Sequence, residues 1–368
     1  MRGVGMVLAL LLSGCPHSEP PPEVKAEPAP PPPPPPPKPD PLPNWRAGWT
    51  SADGIVRKPS ESWTITLSGP VTAALCADGD QVYAVADGVV SALSADGHEV
   101  WHTRIAGVQG VALAGEVVVG GGADGRLHFL DRTSGRDRSV SDAGAPIVTA
   151  PVSVDGGWAW VTADGTVATT AGWKQAAGHP PAGRPAADGS TVFVATTDGF
   201  LMAVGPKGVE WSVALPAAAV DGPALSEDGV FVGFAATKGQ PGGVIALDRE
   251  HAGATRWVFH SEFQPLAAPA VEEAVYVPDK DGHVYGLDPV TGARLWATEG
   301  YGEFTTQPLV ARGSVYVGNR DGHLTRIDPQ DGSAAWEVTL GGPISAVPVI
   351  VGKRLVVGLT NGRVVGLE

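Results

Sequence analysis

The stretch DGHVYGLDPVTGARLW (residues 281–296) returns as DGHLTRIDPQDGSAAW (residues 321–336), forty positions further along the chain. Both copies carry Asp-Gly-His, Asp-Pro, a second Gly and a closing Trp at the same offsets. Self-similarity at such a period marks a fold assembled from repeated supersecondary units, each too small to bury its own apolar face. That restricts the chain to repeat architectures before composition is considered.

The unit extends well beyond these two copies. Turn glycines fall at Gly88, Gly125, Gly165, Gly199, Gly243, Gly282, Gly322 and Gly362, and all but Gly243 follow Asp or Asn. Before them stand runs such as VYAVA, VFVATT, VYVPD and VYVGN, β-branched and aromatic and of strand length. Asp-Gly or Asn-Gly between two such runs is a hairpin signal, because both residues tolerate positive φ. Trp101, Trp211, Trp257, Trp296 and Trp336 then follow their glycines by 12 to 14 residues, and Trp173 by 8 across a clipped turn. In the second unit the same slot falls on Ser139. A further apolar strand upstream of each turn makes four strands per unit, the blade of a β-propeller. The eighth unit ends at Glu368 without a Trp strand, whereas SWTITLSG, with Trp63, precedes the first full unit. Pairing that N-terminal strand with the last blade closes the ring and removes an open edge. The expectation is an all-β, eight-bladed propeller of four-stranded antiparallel blades over residues 62–368. A seven-bladed ring is the alternative, if the irregular third unit (residues 143–180) is miscounted.

The strings YGLDPVTGARLW and TRIDPQDGSAAW resemble the repeat of PQQ-type β-propellers: strand, Asp-Gly, strand, Asp, Thr-Gly, Trp. The resemblance runs from about residue 62 to the C-terminus. It implies that Trp63, Trp101, Trp173, Trp211, Trp257, Trp296 and Trp336 pack between neighbouring blades, a structural duty.

Residues 1–14 read as a secretory signal, with Arg2 ahead of an apolar stretch too short for a stable membrane span. Its end, Leu-Ser-Gly-Cys, resembles a bacterial lipobox, which implies lipid on Cys15. Several acyl chains are what stable anchoring needs. Pro16 in the next position favours the outer membrane by the same analogy. Residues 15–43 include an unbroken proline run at 30–37 and read as a disordered polyproline II tether. At about 3.1 Å per residue, residues 16–43 reach about 85 Å. Residues 44–61 form a lead-in segment. The expected location is the bacterial envelope, with the propeller in the periplasm and surface exposure as the other possibility.

A formal charge of −14 argues against a nucleic-acid partner, since phosphate binding needs a basic surface. Cys15 and Cys76 are the only cysteines, too few for a disulfide framework or a cysteine metal site, and Cys76 reads as a small core residue. HEVWH (residues 98–102) spells the zinc-protease string. On a strand, however, residues four apart lie about 13 Å from each other and cannot share one ion. GGGADG (residues 120–125) lacks the following helix that would bind a pyrophosphate. DKDGH and NRDGH pair Asp279 with Asp281 and Asn319 with Asp321. A calcium loop needs more oxygens, so turn stabilisation is the reading, with His283 and His323 exposed. The lengthened turn at residues 233–243 offers Phe234, Lys238 and Gln240 as partner contacts, because loops carry function more often than framework does.

Within the propeller family the chain is most similar to BamB-type outer-membrane lipoproteins. That resemblance implies a non-enzymatic scaffold, monomeric as a propeller, that contacts envelope proteins and the barrel-assembly core protein. The alternatives are a PQQ-dependent quinoprotein dehydrogenase and a propeller that binds cell-wall polymer or polysaccharide. The alcohol-oxidising quinoproteins carry a vicinal Cys-Cys pair that this chain lacks, so no catalytic residue is assigned and neither PQQ nor Ca²⁺ is expected.

Overall fold

The computed structural model describes residues 57–368, apart from residues 72, 300 and 301. The signal sequence, Cys15, the proline-rich tether and most of the lead-in lie outside the described residues. Thirty-two strands form eight separate four-stranded antiparallel sheets, so the ring has eight blades and the seven-bladed alternative is set aside. Blade one comprises Cys76–Asp78, Gln81–Ala86, Val89–Ser94 and Glu99–Arg104, in that order from inside to outside. Blade eight takes three strands from the C-terminus and its outer strand, Glu61–Thr66, from the N-terminal end of the described chain. Trp63 faces Gly366 across that pair, and Ser60 and Glu368 exchange two backbone bonds of 2.9 Å. The ring therefore closes with ladder hydrogen bonds and leaves no gap between its ends.

Each anchor of the repeat has a physical task. In blade six the buried Asp279 carboxylate accepts N–H bonds from Asp281 and His283, both 2.9 Å, which fixes the tight turn before the third strand. Asn319 does the same in blade seven at 3.0 and 2.8 Å. At the other end of the blade the Asp of Asp-Pro caps the outer hairpin: Asp288 Oδ1 accepts from the backbone of Val290 and Thr291 and from the Thr291 hydroxyl. Asp131 repeats this arrangement. The Thr133 hydroxyl, then Arg138 and Ser134, hold its carboxyl well below the usual carboxylate range.

The Pro and second Gly of the motif serve the neighbouring blade. Trp257 of blade five donates its indole N–H to Pro289 O of blade six at 3.0 Å, and Trp296 of blade six donates to Pro329 O of blade seven at 2.8 Å. Trp63 and Trp101 make the same bond to Ala95 O and Arg132 O, at 3.0 and 2.9 Å. Each of these indoles lies on the hairpin glycine of the next blade. A Cβ on Gly292 would fall 2.5 Å from Trp257, and one on Gly135 would fall 2.4 Å from Trp101. Both glycines also have positive φ, 70° and 66°, so two separate constraints select them. On the blade's own surface a second aromatic backs the indole. Tyr83, Phe193, Phe231, Tyr276 and Tyr316 sit 5.7–5.9 Å from Trp101, Trp211, Trp257, Trp296 and Trp336. Tilted pairs at this separation add to the area they bury.

Blades two and three depart from this pattern. Ser139 occupies the Trp slot opposite Phe129, and a Cβ on Gly172, in the next hairpin, would meet nothing within 4 Å. The seam is filled from the other side. Trp158 and Trp160, on the second strand of blade three, are 7% and 1% exposed and pack with Val119, Leu127 and Phe129 of blade two. Trp173 holds the register position of the other outer tryptophans but lies before its strand, Lys174–Ala176, at the end of the shortened hairpin. There it packs, half-buried, on the core shared by blades three and four.

Candidate functional site

Two places combine access with chemistry: the central cavity, and the face that carries the lengthened turn of blade five.

All eight blades contribute their inner lead-in segments to the central cavity, whose volume is about 660 Å³. Its wall is held by polar contacts between blades. Thr305 donates to Ile344 O at 3.0 Å, Gln307 to Pro269 O at 2.8 Å, and Ser345 to Val71 O across the ring closure. Asp221 of blade five accepts from Gly222 N at 2.7 Å and from Ala268 N of blade six at 3.1 Å. Burial raises its pKa above the usual carboxylate value, and the two amides pull it part of the way back. Gly183 and Gly222 let blades four and five meet here, since a Cβ on either would fall 1.9 Å from an oxygen of the other blade. Among the described residues lining this cavity, Arg184 is the one cation and Asp221 the one anion.

A second, more apolar cavity of about 480 Å³ adjoins the first, lined by residues of blades one, two, three, seven and eight, with Arg184 of blade four at its edge. Leu113, Leu309, Val349 and Ile350 present half-buried side chains to it. Cys76 lies here as well. It packs on the core of blades one and two, as expected, but is only half-buried because one side meets the cavity; its thiol lies 3.1 Å from Val111 O and its pKa is raised by burial. The strand alternates faces, and Cys76 takes a face turned partly toward the cavity. No expectation from sequence singled out Arg184 or Asp221.

The lengthened turn of blade five is an ordered small hairpin. Thr237 and Gln240 exchange two backbone bonds, 2.9 and 3.2 Å, around Gly239, whose φ is 93°. Lys238 and Gln240 are exposed at its tip. Phe234 is not available as a contact. It ends the strand Gly229–Phe234, is 1% exposed, and belongs to the core shared by blades four and five. The turn glycine of this blade is Gly242 rather than Gly243, because Gly243 already pairs with Phe234 and His260 in the sheet. Gln264 braces the hairpin base by accepting from Ala236 N at 3.3 Å, and Phe263 beside it is 41% exposed.

His283 and His323 are not exposed turn residues. His283 is 23% exposed, stacks on Phe263 with an interplanar angle of 4°, and lies 3.4 Å from the buried Asp279 carboxylate. His323 begins a strand and contacts Glu337 at 2.9 Å. The blade's third strand starts immediately after the turn, so these rings lie against the next connection. His102 of the zinc-protease string stands on the strand Glu99–Arg104 and pairs with Glu99 at 2.8 Å, while the Trp101 indole turns inward between blades. Among the described residues no three metal-ligating side chains converge.

The family model described as outer membrane protein assembly factor BamB matches residues 58–153, 86–172, 163–299 and 242–368, which together span the propeller. This chain belongs to the BamB family. BamB from Moraxella catarrhalis superposes with a TM-score of 0.67 at 20% identity, covering 85% of this chain and 98% of that one. The computationally designed Ika8 protein gives 0.71 at 19% identity, covering 83% and 98%. Sqt1 of Saccharomyces cerevisiae gives 0.70 at 9% identity, covering 84% and 99%. At these identities the structural likeness speaks for the fold alone. No protein of curated function matches the sequence. Membership of the BamB family supports a protein-interaction scaffold in general terms. It assigns no partner to Lys238, Gln240 or any other residue.

Proposed function

We propose that this chain is a lipid-anchored, non-enzymatic scaffold of the bacterial envelope that serves the assembly of outer-membrane β-barrel proteins. The observation that carries the reading is that four overlapping matches to the BamB assembly-factor family together cover residues 58–368. Lipid on Cys15 would hold the protein at the membrane, and the proline-rich segment would set the propeller's distance from it. The hairpin at residues 236–241 is the contact proposed for the partner. It stands out from an otherwise regular face, is ordered by its own backbone bonds, and exposes Lys238 and Gln240. The partner proposed is the core protein of barrel assembly.

Affinity purification of the tagged protein from mildly solubilised envelopes tests the reading. Recovery of the barrel-assembly core protein, reduced when residues 236–241 are replaced by a two-residue turn, is the expected result. Recovery of unrelated envelope or cell-wall components without that core protein would sink it. Cys15→Ser should move the protein from the membrane to the soluble fraction, and retention in the membrane would remove the anchor from the proposal.

A further inference from the structure

The inner cavity and the apolar cavity beside it share two residues, Ser153 and Arg184. Arg184 is exposed at that junction, and among the described residues no carboxylate pairs with its guanidinium. The chain is acidic, with 39 Asp and Glu against 25 Lys and Arg, and many of its arginines are claimed. Arg132 pairs with Asp78, Arg256 with Asp228 and Asp248, Arg320 with Glu303, and Arg363 with Glu61. The nearest anion on the cavity wall, Asp221, spends its two oxygens on backbone amides and does not reach the apolar cavity. A guanidinium that no described carboxylate claims therefore sits between a polar chamber and a patch of half-buried aliphatic side chains.

We propose that this junction binds an amphiphilic monoanion, with its acidic head on Arg184 and its apolar body against Leu113, Leu309, Val349 and Ile350. Three properties of the site fit that chemistry. Guanidinium forms charge-assisted, often bidentate, hydrogen bonds with carboxylate or phosphate. Cavities of 660 and 480 Å³ fall in the size range of small-molecule sites, which are mostly apolar with a few orienting polar groups. Cys76, the nearest titratable neighbour in the apolar cavity, is kept as a neutral thiol by burial and adds no competing charge. Binding here requires no reaction and is independent of the scaffold role.

The test is titration calorimetry on the full chain carrying Cys15→Ser, which avoids detergent. Decanoate and decyl phosphate serve as head-plus-tail probes, decanol as the tail alone, and acetate and inorganic phosphate as heads alone, all below micelle formation. Saturable binding of decanoate or decyl phosphate is expected at one site, with the single-feature probes at least about tenfold weaker. The better of the two amphiphiles identifies the head as carboxylate or phosphate. Arg184→Ala should lose about tenfold for the amphiphile and leave decanol unchanged, which also reports that the apolar cavity is intact. Arg184→Lys should retain most of the binding, and Leu309→Ser should weaken amphiphile and decanol together. The proposal is overturned if neither amphiphile saturates, if decanol binds as tightly as they do, or if Arg184→Ala binds them like the native chain.

Discussion

The seam between blades one and two and the seam between blades two and three do the same work with different parts. At the first, Trp101 leaves the outer strand, lies on Gly135, and ends in a hydrogen bond to Arg132 O, with Tyr83 behind it. At the second, the outer slot is Ser139 and the facing hairpin is bare, while Trp158 and Trp160 enter from the following blade. The first seam is directional: its hydrogen bond and its glycine fix how far the blades rotate against each other. The second is bulk apolar packing, and the Trp160 N–H is buried without a partner. Volume between blades is thus what the ring requires, and the outer tryptophan is one way to supply it.

The comparison can be broken most directly at Trp160. Trp160→Ala should cost about 3–5 kcal/mol in denaturant unfolding, the range for deleting a buried aromatic. Ser139→Ala, at an exposed site, should stay within about 0.5 kcal/mol. If Trp160→Ala proved as mild as Ser139→Ala, the second seam would not depend on the tryptophans as argued. Phenylalanine substitutions sharpen the contrast. Trp101→Phe gives up the bond to Arg132 O, whereas Trp160→Phe removes an unpaired donor along with some volume. Trp101→Phe should therefore cost more, by about 1 kcal/mol.

The hairpin glycines give the next largest effect. Gly135→Ala must strain a φ of 66° and also push a methyl into Trp101, for a total loss of about 3 kcal/mol. Gly172 has a φ of 90° but open space beyond it, so Gly172→Ala should cost about 1 kcal/mol from strain alone. Equal losses at the two sites would mean that backbone conformation, and not the tryptophan seat, selects the glycine.

These contrasts also mark how far the sequence was legible. The period, the Asp-Gly turns and the displaced Trp63 strand point to eight blades closed by residues 61–66, because each is a local backbone or edge requirement, while the irregular third unit leaves seven blades open until the sheets are seen. The exchange of Ser139 for Trp158 and Trp160 is a relation between blades and needs the register. Blade one places Val82 and Ala84 where blade three places these two tryptophans, a substitution visible only once the repeats are aligned strand by strand. At Phe234 the insertion hides from the sequence where the strand ends, although VFVGF continues the buried apolar run. Arg184 stands among the prolines and small residues of the lead-in segments, where no motif marks it. The signal lies in the position before the lead-in proline, where sister blades carry Ala150, Ala268, Gln307 and Val347 and blade four carries arginine.

The smallest predicted effect concerns the two sister turns of blades six and seven. Asp279 and Asn319 cap them with the same backbone bonds, but only Asp279 brings a charge into a fully buried position. Burial raises its pKa above the ordinary carboxylate value, with the His283 and Asp281 amides, His283 charge and the Tyr285 hydroxyl opposing the shift. The buried carboxylate in turn helps to push Tyr285 up to about 12, after burial itself. A raised folded-state pKa means that the folded protein holds a proton the unfolded chain has released. Stability is accordingly lost as pH rises from the ordinary carboxylate range through the folded value, and the loss persists above it. Asp279→Asn copies blade seven and keeps the oxygen that caps the two amides. It places an N–H where the other oxygen lies 3.4 Å from His283 Nδ1, a contact that is not a hydrogen bond in the native chain, and the Tyr285 hydroxyl turns from donor to acceptor there. The variant should gain up to about 1 kcal/mol at pH 7 over the native chain, and the gain should disappear below about pH 4. Urea midpoints measured from pH 3 to pH 8 check this. A variant less stable than the native chain across that whole range would show that the carboxylate contributes more through its hydrogen bonds than its burial costs.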